Sequence, residues 1–225
     1  FGSGTPAMLH GLEAVVLKDD FAHALKVLGE ASGTNNTTAN EFKVLSDTHI
    51  QNTEATTINT QAGNVLLFSN ADDAADGESS VNGYIQFRNG LTINSNGGDI
   101  ILAGGDKDGS GYAVGSSTAE FTEGVRLDKT VNLNSGNGNI IIRGKSSTTS
   151  MSTFGYGNSG CGIYALTSPA SINSGTGTIA IEGINQNPSF TNYSSGIVFA
   201  LASGRLTTIT SASTSENAIQ IKGYA

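Results

Sequence analysis

The residues of this 225-residue chain best suited to chemistry are acidic side chains set among glycines. Gly104-Gly105-Asp106-Lys107-Asp108-Gly109 alternates carboxylates around glycine, the pattern by which a loop can wrap a hard cation such as calcium. Asn70, Asp72, Asp73, Asp76 and Glu78 form a second acidic cluster. The calcium candidates are therefore Asp106, Asp108, Asp72 and Asp76. Neither loop has a full ligand spacing, and no bidentate Glu stands at the expected offset after Asp106. A solvated acidic loop is the plainer reading of each, and no other cofactor is expected. His10, His23 and His49 are scattered without metal-ligand spacing. Cys161 is the sole cysteine, so no internal disulfide can form, and a small buried side chain is its expected role. No Gly-x-Ser-x-Gly elbow and no phosphate-binding loop occurs. No catalytic residue is assigned, and the chain is not expected to be an enzyme.

What would position such groups is a repeat. Leu91 to Gly104 (LTINSNGGDIILAG) recurs as Val131 to Gly144 (VNLNSGNGNIIIRG) and Ser171 to Gly183 (SINSGTGTIAIEG). Weaker copies run from Thr57 to Ser69 and from Thr208 to Gly223. The template is aliphatic, then Asn, Ser or Thr, a glycine-rich turn, then aliphatic-x-aliphatic-x-Gly. Its closing positions are Ser69, Gly104, Gly144, Gly183 and Gly223, and backward extension lands on Gly29 after Leu25-Lys26-Val27-Leu28. That makes about six copies of roughly 39 residues, a period that signals a repeat architecture. A second element precedes each copy, as in Gly83-Tyr84-Ile85-Gln86-Phe87, Gly124-Val125-Arg126-Leu127 and Gly162-Ile163-Tyr164-Ala165-Leu166. Gly11 to Val15 fits the same element and reads as strand, against a competing short helix capped at Asp19 or Asp20.

Each unit then holds three short strands separated by turn formers, for example Ile163 to Leu166, Ala170 to Asn173 and Thr178 to Glu182. Three strands with two bends and a return make a triangular coil, and stacked coils pair like strands in parallel. The expected fold is all-β: a right-handed parallel β-helix with long lateral loops, the hand following from the bias of parallel crossovers. Residues 1–225 form one repeat region, expected to be a segment of a longer solenoid. Ile58, Ile93, Leu133, Ile172 and Ile209 should form one inward column; Ile100, Ile140, Ile179 and Ile219 a second; Leu102, Ile142, Ile181 and Ile221 a third. Asn59, Asn94, Asn134 and Asn173 should stack at a corner with amides bonded from coil to coil. The closing glycines suit a left-handed or tightly bent position. The surplus length after them (Glu30 to Glu41, Asn70 to Asn82, Gly105 to Glu123, Lys145 to Cys161, Asn185 to Ser195) reads as loops from one corner, the alternative being a further weakly patterned coil.

Composition narrows the partners. Charged residues are 13% and the net charge is −8, which argues against nucleic acid and against anionic lipid. No run of about 20 apolar residues is present, so no membrane insertion is expected. Arg88, Arg126, Arg143 and Arg205 occupy different template positions with no recurrent acidic pair beside them, and read as solubilising charge. Thr56-Thr57 and Thr207-Thr208 are not expected to stack in register, which argues against an ice-binding ladder. Outward positions of the third strand give an apolar stripe, Leu66, Phe68, Ile101 and Ile141, either an interaction face or a surface covered by loop residues such as Tyr112, Val114 or Phe121.

SINSGTGTIAIEG, INSNGGDIILAGG and NVLLFSNADD followed by GYIQFRNG resemble the repeats of filamentous-haemagglutinin-like bacterial surface proteins, over nearly the whole chain. The NPNG-type secretion domain of that family is not visible. The resemblance implies a β-helical shaft secreted to the cell surface and serving adhesion, matrix or fibre formation, with no catalytic residue carried over. Expected partners are neighbouring repeats or other copies of the chain, end to end or lateral, and surface glycans. The alternative is a carbohydrate-active β-helix enzyme, a polysaccharide lyase or glycosidase, with Asp and basic groups converging in a cleft.

Overall fold

The structure is a computed structural model that describes residues 14–19, 41–46, 49–52, 55–69, 83–105, 109–116, 122–148, 160–166, 170–186, 195–200 and 206–225. Among these residues all regular structure is strand, and no helix occurs. The strands form three parallel sheets. The A sheet runs β1 (Ala14–Asp19), β2 (Glu41–Ser46), β5 (Val65–Ser69), β8 (Ile100–Gly104), β12 (Ile140–Lys145), β15 (Ile179–Ile184), β18 (Ile219–Tyr224). The B sheet holds β3 (Ile50–Gln51), β6 (Ile85–Phe87), β10 (Val125–Asp128), β13 (Ile163–Leu166) and β16 (Ile197–Ala200). The C sheet holds β4 (Thr56–Asn59), β7 (Leu91–Asn94), β11 (Val131–Asn134), β14 (Ala170–Asn173) and β17 (Thr208–Thr210). The chain passes A, B, C and returns to A beside its own previous strand, so the architecture is a parallel β-solenoid.

The alternation of side chains in a strand explains why these sequences stack. Ile58, Ile93, Leu133, Ile172 and Ile209 are register partners in the C sheet. In the A sheet, Phe42, Val65, Ile100, Ile140, Ile179 and Ile219 form one column, and Val44, Leu67, Leu102, Ile142, Ile181 and Ile221 the next. With Ile85, Val125 and Ile163 from the B sheet, they make one continuous core. All three expected columns therefore form. In the last coil they are open: Ile219 is 41% exposed and Ile221 48%, whereas Ile140 and Ile179 are at 0%.

The corners are polar but satisfied. Between the C and A sheets, Thr60, Ser135 and Ser174 are buried and donate their hydroxyls to the carbonyls of Gly63, Gly138 and Gly177 at 2.6, 2.6 and 2.7 Å. A second ladder joins the same turns. The Asn64 side-chain oxygen accepts from Asp99 N at 2.9 Å, Asp99 from Asn139 N at 2.7 Å, and Asn139 from Thr178 N at 3.0 Å. The Asn59 column is in register through Asn173, with an amide rung from Asn94 Nδ2 to Asn59 Oδ1 at 2.8 Å. Asn134 and Asn173 instead accept from the backbone N–H of Gly136 and Gly175, capping their own turns.

Four sequence expectations change. The copy before Val65–Ser69 is β2, with Ser46 the partner of Ser69, so the series does not step back to Gly29 at that place. Glu41 accordingly opens a strand rather than ending a loop; the mixed pattern of Glu41-Phe42-Lys43-Val44, without a closing glycine, hid it. Ala14–Asp19 is strand but pairs with β2 in the A sheet, not with the Ile85 element of the B sheet. The closing glycines Gly104, Gly144 and Gly183 are absent from the left-handed positions. They are there for close approach: a Cβ on Gly144 would lie 2.3 Å from the carbonyl oxygen of Gly162, where the chain returns from its loop. The segments Leu25 to Gly29 and the helix alternative beyond Asp19 lie outside the described residues.

After β5, β8, β12 and β15 the chain leaves the A sheet and then enters the B sheet, whereas β1 and β2 are successive strands of the A sheet; most residues of these connections lie outside the described residues. One of them contributes a short strand, β9 (Ala113–Val114), which pairs with Gly144–Lys145 of β12 where β8 has ended its own pairing.

Candidate functional site

The four calcium candidates, Asp72, Asp76, Asp106 and Asp108, lie outside the described residues. Among the described residues, no group of three or more His, Cys, Asp or Glu could hold a metal ion. Three other surfaces have chemistry to offer.

The first is the outer face of the A sheet, where the apolar stripe lies. Leu66 is 8% exposed and Phe68 1%, and with Leu45 and Ala103 they form a small second core on which half-buried Ile101 packs. Ile141 is also half-buried. Of the two readings of the stripe, the covered one describes Leu66 and Phe68. Gly109 sits so close over the Phe68 ring that a Cβ there would lie 2.4 Å from it. The returning loop is held in place by Arg143, whose Nη1 donates to the Gly109 carbonyl at 3.1 Å, and by Lys145, whose Nζ stands 4.4 Å from the Tyr112 ring centre. Burial, together with a hydrogen bond to Glu182, pushes the Tyr112 hydroxyl up to about 12.

The second is a charged cluster on the outer face of the B sheet. Gln86, Arg126 and Tyr164 are register neighbours on β6, β10 and β13. Arg126 Nε donates to Asp128 Oδ2 at 2.9 Å, and its Nη1 is 3.7 Å from Glu123 Oε1. Its guanidinium lies 5.3 Å from the centre of the Tyr164 ring. Burial lowers the Arg126 pKa, but Glu123 and Asp128 outweigh it, so the guanidinium is held charged. Burial raises the Asp128 pKa above the ordinary carboxylate range, against the opposing pull of Arg126, Arg88 and Lys129. Gln86 is 1% exposed, and neither end of its amide has a hydrogen-bond partner. Cys161 is buried nearby; burial first, and then Glu123, push its thiol well up, which suits a structural thiol rather than a nucleophile. The sequence reading of Arg126 as lone solubilising charge is thus corrected: acidic partners stand at Glu123 and Asp128. The signal was in Glu123-Gly124-Val125-Arg126-Leu127-Asp128, where strand alternation puts Arg126 and Asp128 on one face.

The third is the outer face of the C sheet, bordered from β7 to β14 by short turns. Its outward positions form two columns in register: Thr57, Thr92, Asn132, Ser171 and Thr208, then Asn59, Asn94, Asn134, Asn173 and Thr210. All are half-buried or exposed, and none is charged. Thr57 pairs with Thr92, and Thr208 stands in register with Ser171, so the expectation that the threonines fall out of register is overturned for this column. Thr56 stands one position before this column, paired with Leu91. Side chains of the first column have no hydrogen-bond partner among the described residues. They present free donors and acceptors at the strand spacing, about 4.8 Å.

No family model, no curated protein and no solved structure matches the chain.

Proposed function

We propose that the chain is a structural and adhesive segment of a bacterial β-solenoid, secreted or displayed on the cell surface, without catalytic activity. One observation carries this reading. Apolar columns run in register from Phe42 and Val44 to Ile219 and Ile221, and emerge there with large exposure. A lattice of this kind presents repeating faces along its length, as a shaft of stacked repeats does. The proposal includes a right-handed winding, following the bias of parallel crossovers. It also includes coils of roughly 39 residues in the regular part, a spacing typical of repeat architectures. The resemblance of SINSGTGTIAIEG and its relatives to filamentous-haemagglutinin-like repeats supports the surface assignment and an adhesive or fibre-forming role. The test is to incubate the chain with pectins, alginates and host glycans and follow both retention and product release. Retention without turnover is the expected outcome; release of saccharide products would refute it.

A second reading is favoured by the Arg126 cluster. Two carboxylates meet one guanidinium, and Asp128 is raised by burial, the condition in which a carboxylic acid can donate a proton. That arrangement suits a carbohydrate-active enzyme of the lyase or glycosidase type. Product release that is lost in Asp128→Asn would establish it.

A further inference from the structure

The geometry points to the outer face of the C sheet as a binding site for an extended, uncharged polysaccharide, its chain lying along the solenoid axis with one sugar facing each coil. This rests on the adhesive reading above and names the ligand class and the surface.

The chemistry of the face selects the ligand. Hydroxyl and primary amide groups both donate and accept, and so do sugar hydroxyls. Thr57, Thr92, Asn132 and Ser171 keep that capacity free, while Asn134 and Asn173 lend theirs to turn capping, which fixes them in place. The groups repeat at the coil spacing of about 4.8 Å, close to the advance of an extended β-linked hexose chain per sugar. The face itself has no charged side chain, although the chain carries a net charge of −8. An anionic polymer would meet that net charge without a compensating basic stripe.

The size of the face argues against a protein partner. Five strands at about 4.8 Å by four residues at about 3.3 Å cover roughly 320 Å². A stable protein interface needs about 800 Å² on each side. A narrow chain needs no more than the columns offer. An ordered ice surface would require methyl and hydroxyl groups together at each site, and only Thr57, Thr92, Thr208 and Thr210 supply both.

The probes are microcrystalline cellulose and chitin in co-sedimentation, and cellohexaose in titration calorimetry, with the whole chain. Thr92→Glu with Asn132→Glu places two carboxylates mid-face without touching the core; Gln220→Glu on the A sheet is the control. The chain is expected to bind at least one probe, and the double variant to lose at least about tenfold, the factor from losing two hydrogen bonds of ordinary net strength. Gln220→Glu should bind as the parent does. Far-UV circular dichroism and melting establish that each variant is folded. Equal binding by the folded double variant would overturn the site while leaving the adhesive reading intact. So would failure of the parent to bind any of the three probes, or thermal hysteresis of freezing that the double variant abolishes. If the double variant fails to fold, Thr92→Val with Asn132→Val replaces it, removing the hydrogen-bonding groups with strand-forming side chains, and unchanged binding there likewise overturns the site. Release of soluble sugar from the probes would instead overturn the non-catalytic function.

Discussion

Ile140 and Ile219 occupy the same template position in the A sheet, with Ile179 between them, yet one is fully buried and the other 41% exposed. Truncating each to alanine removes the same three carbons, so the difference in effect isolates stacking. At about 0.8 kcal/mol per buried carbon, Ile140→Ala loses roughly 2.4 kcal/mol of transfer energy. Ile100 and Ile179 flank it in register and are held by their own strands, β8 and β15, so the gap cannot close well. A residual void of about 50 Å³ at about 24 cal/mol per Å³ adds roughly 1.2 kcal/mol. The expected loss is therefore about 3.5 kcal/mol. Ile219→Ala forfeits only the buried part of the transfer term, about 1.4 kcal/mol, and leaves no closed void. Urea unfolding followed by far-UV circular dichroism at 25 °C measures both, compared through the transition midpoints because solenoids can unfold in steps. Equal shifts for the two variants, or less than about 1 kcal/mol for Ile140→Ala, would refute the stacked-column account.

Other substitutions probe the remaining features. Gly138→Ala should be among the most damaging single-carbon changes, because the new Cβ would lie 2.1 Å from the Gly98 carbonyl oxygen, a backbone atom; a loss of about 3 kcal/mol or more is expected in the same assay. Ser135→Ala strips the buried hydroxyl from the Gly138 carbonyl and should cost about 1 to 2 kcal/mol, read as a lowered melting temperature. Ile101→Lys should destabilise the fold, because Ile101 packs on the buried Leu66 and Phe68; an unchanged melting temperature would show that the stripe is open. The folded-state pKa of Asp128 lies above its unfolded value, so its contribution is fully present below the unfolded pKa and is lost as pH rises through the folded one. Asp128→Asn removes that loss, and its melting temperature should gain on the parent's as pH rises from about 3 towards 7; a difference that stays constant would contradict the burial of this carboxylate.

The columns were legible because strand alternation leaves a period that small aliphatics cannot disguise: Ile93, Leu133 and Ile172 name their partners by position alone. Β-sheet membership at the N-terminal end was not. Glu41–Ser46 breaks the template with Glu, Lys and a closing Ser, and only the pairing of Phe42 with Val65 reveals it. The glycines were read for conformational freedom, whereas Gly144 and Gly183 answer to a neighbouring backbone that no local pattern announces. The Arg126 cluster failed for a related reason. Glu123 stands outside β10, and its approach to Arg126 depends on how the returning loop enters the sheet. The Asn59 column of the C sheet was legible, but the column beside it, Thr57 to Thr208, was hidden by mixed chemistry, since Thr, Asn and Ser at one position look like variation until register aligns them.

From β4 to β15 the turn between the C and A sheets keeps one length, and most of the length variation between coils falls between the A and B sheets. Phe42 finds Val65 after a short excursion, while the side-chain bonds of later coils span 35, 40 and 39 positions, and the rungs still meet. Chain length and lattice geometry are thereby uncoupled. An insertion at that edge, for instance a peptide tag between Thr148 and Gly160, should leave the rungs in place, whereas one residue added to the turn from Ser135 to Gly138 would break the hydrogen bonds that tie this turn to its neighbours. From β4 to β15 the solenoid has one edge on which sequence is free to lengthen and diversify, and only at the last coil do the other two lengthen as well.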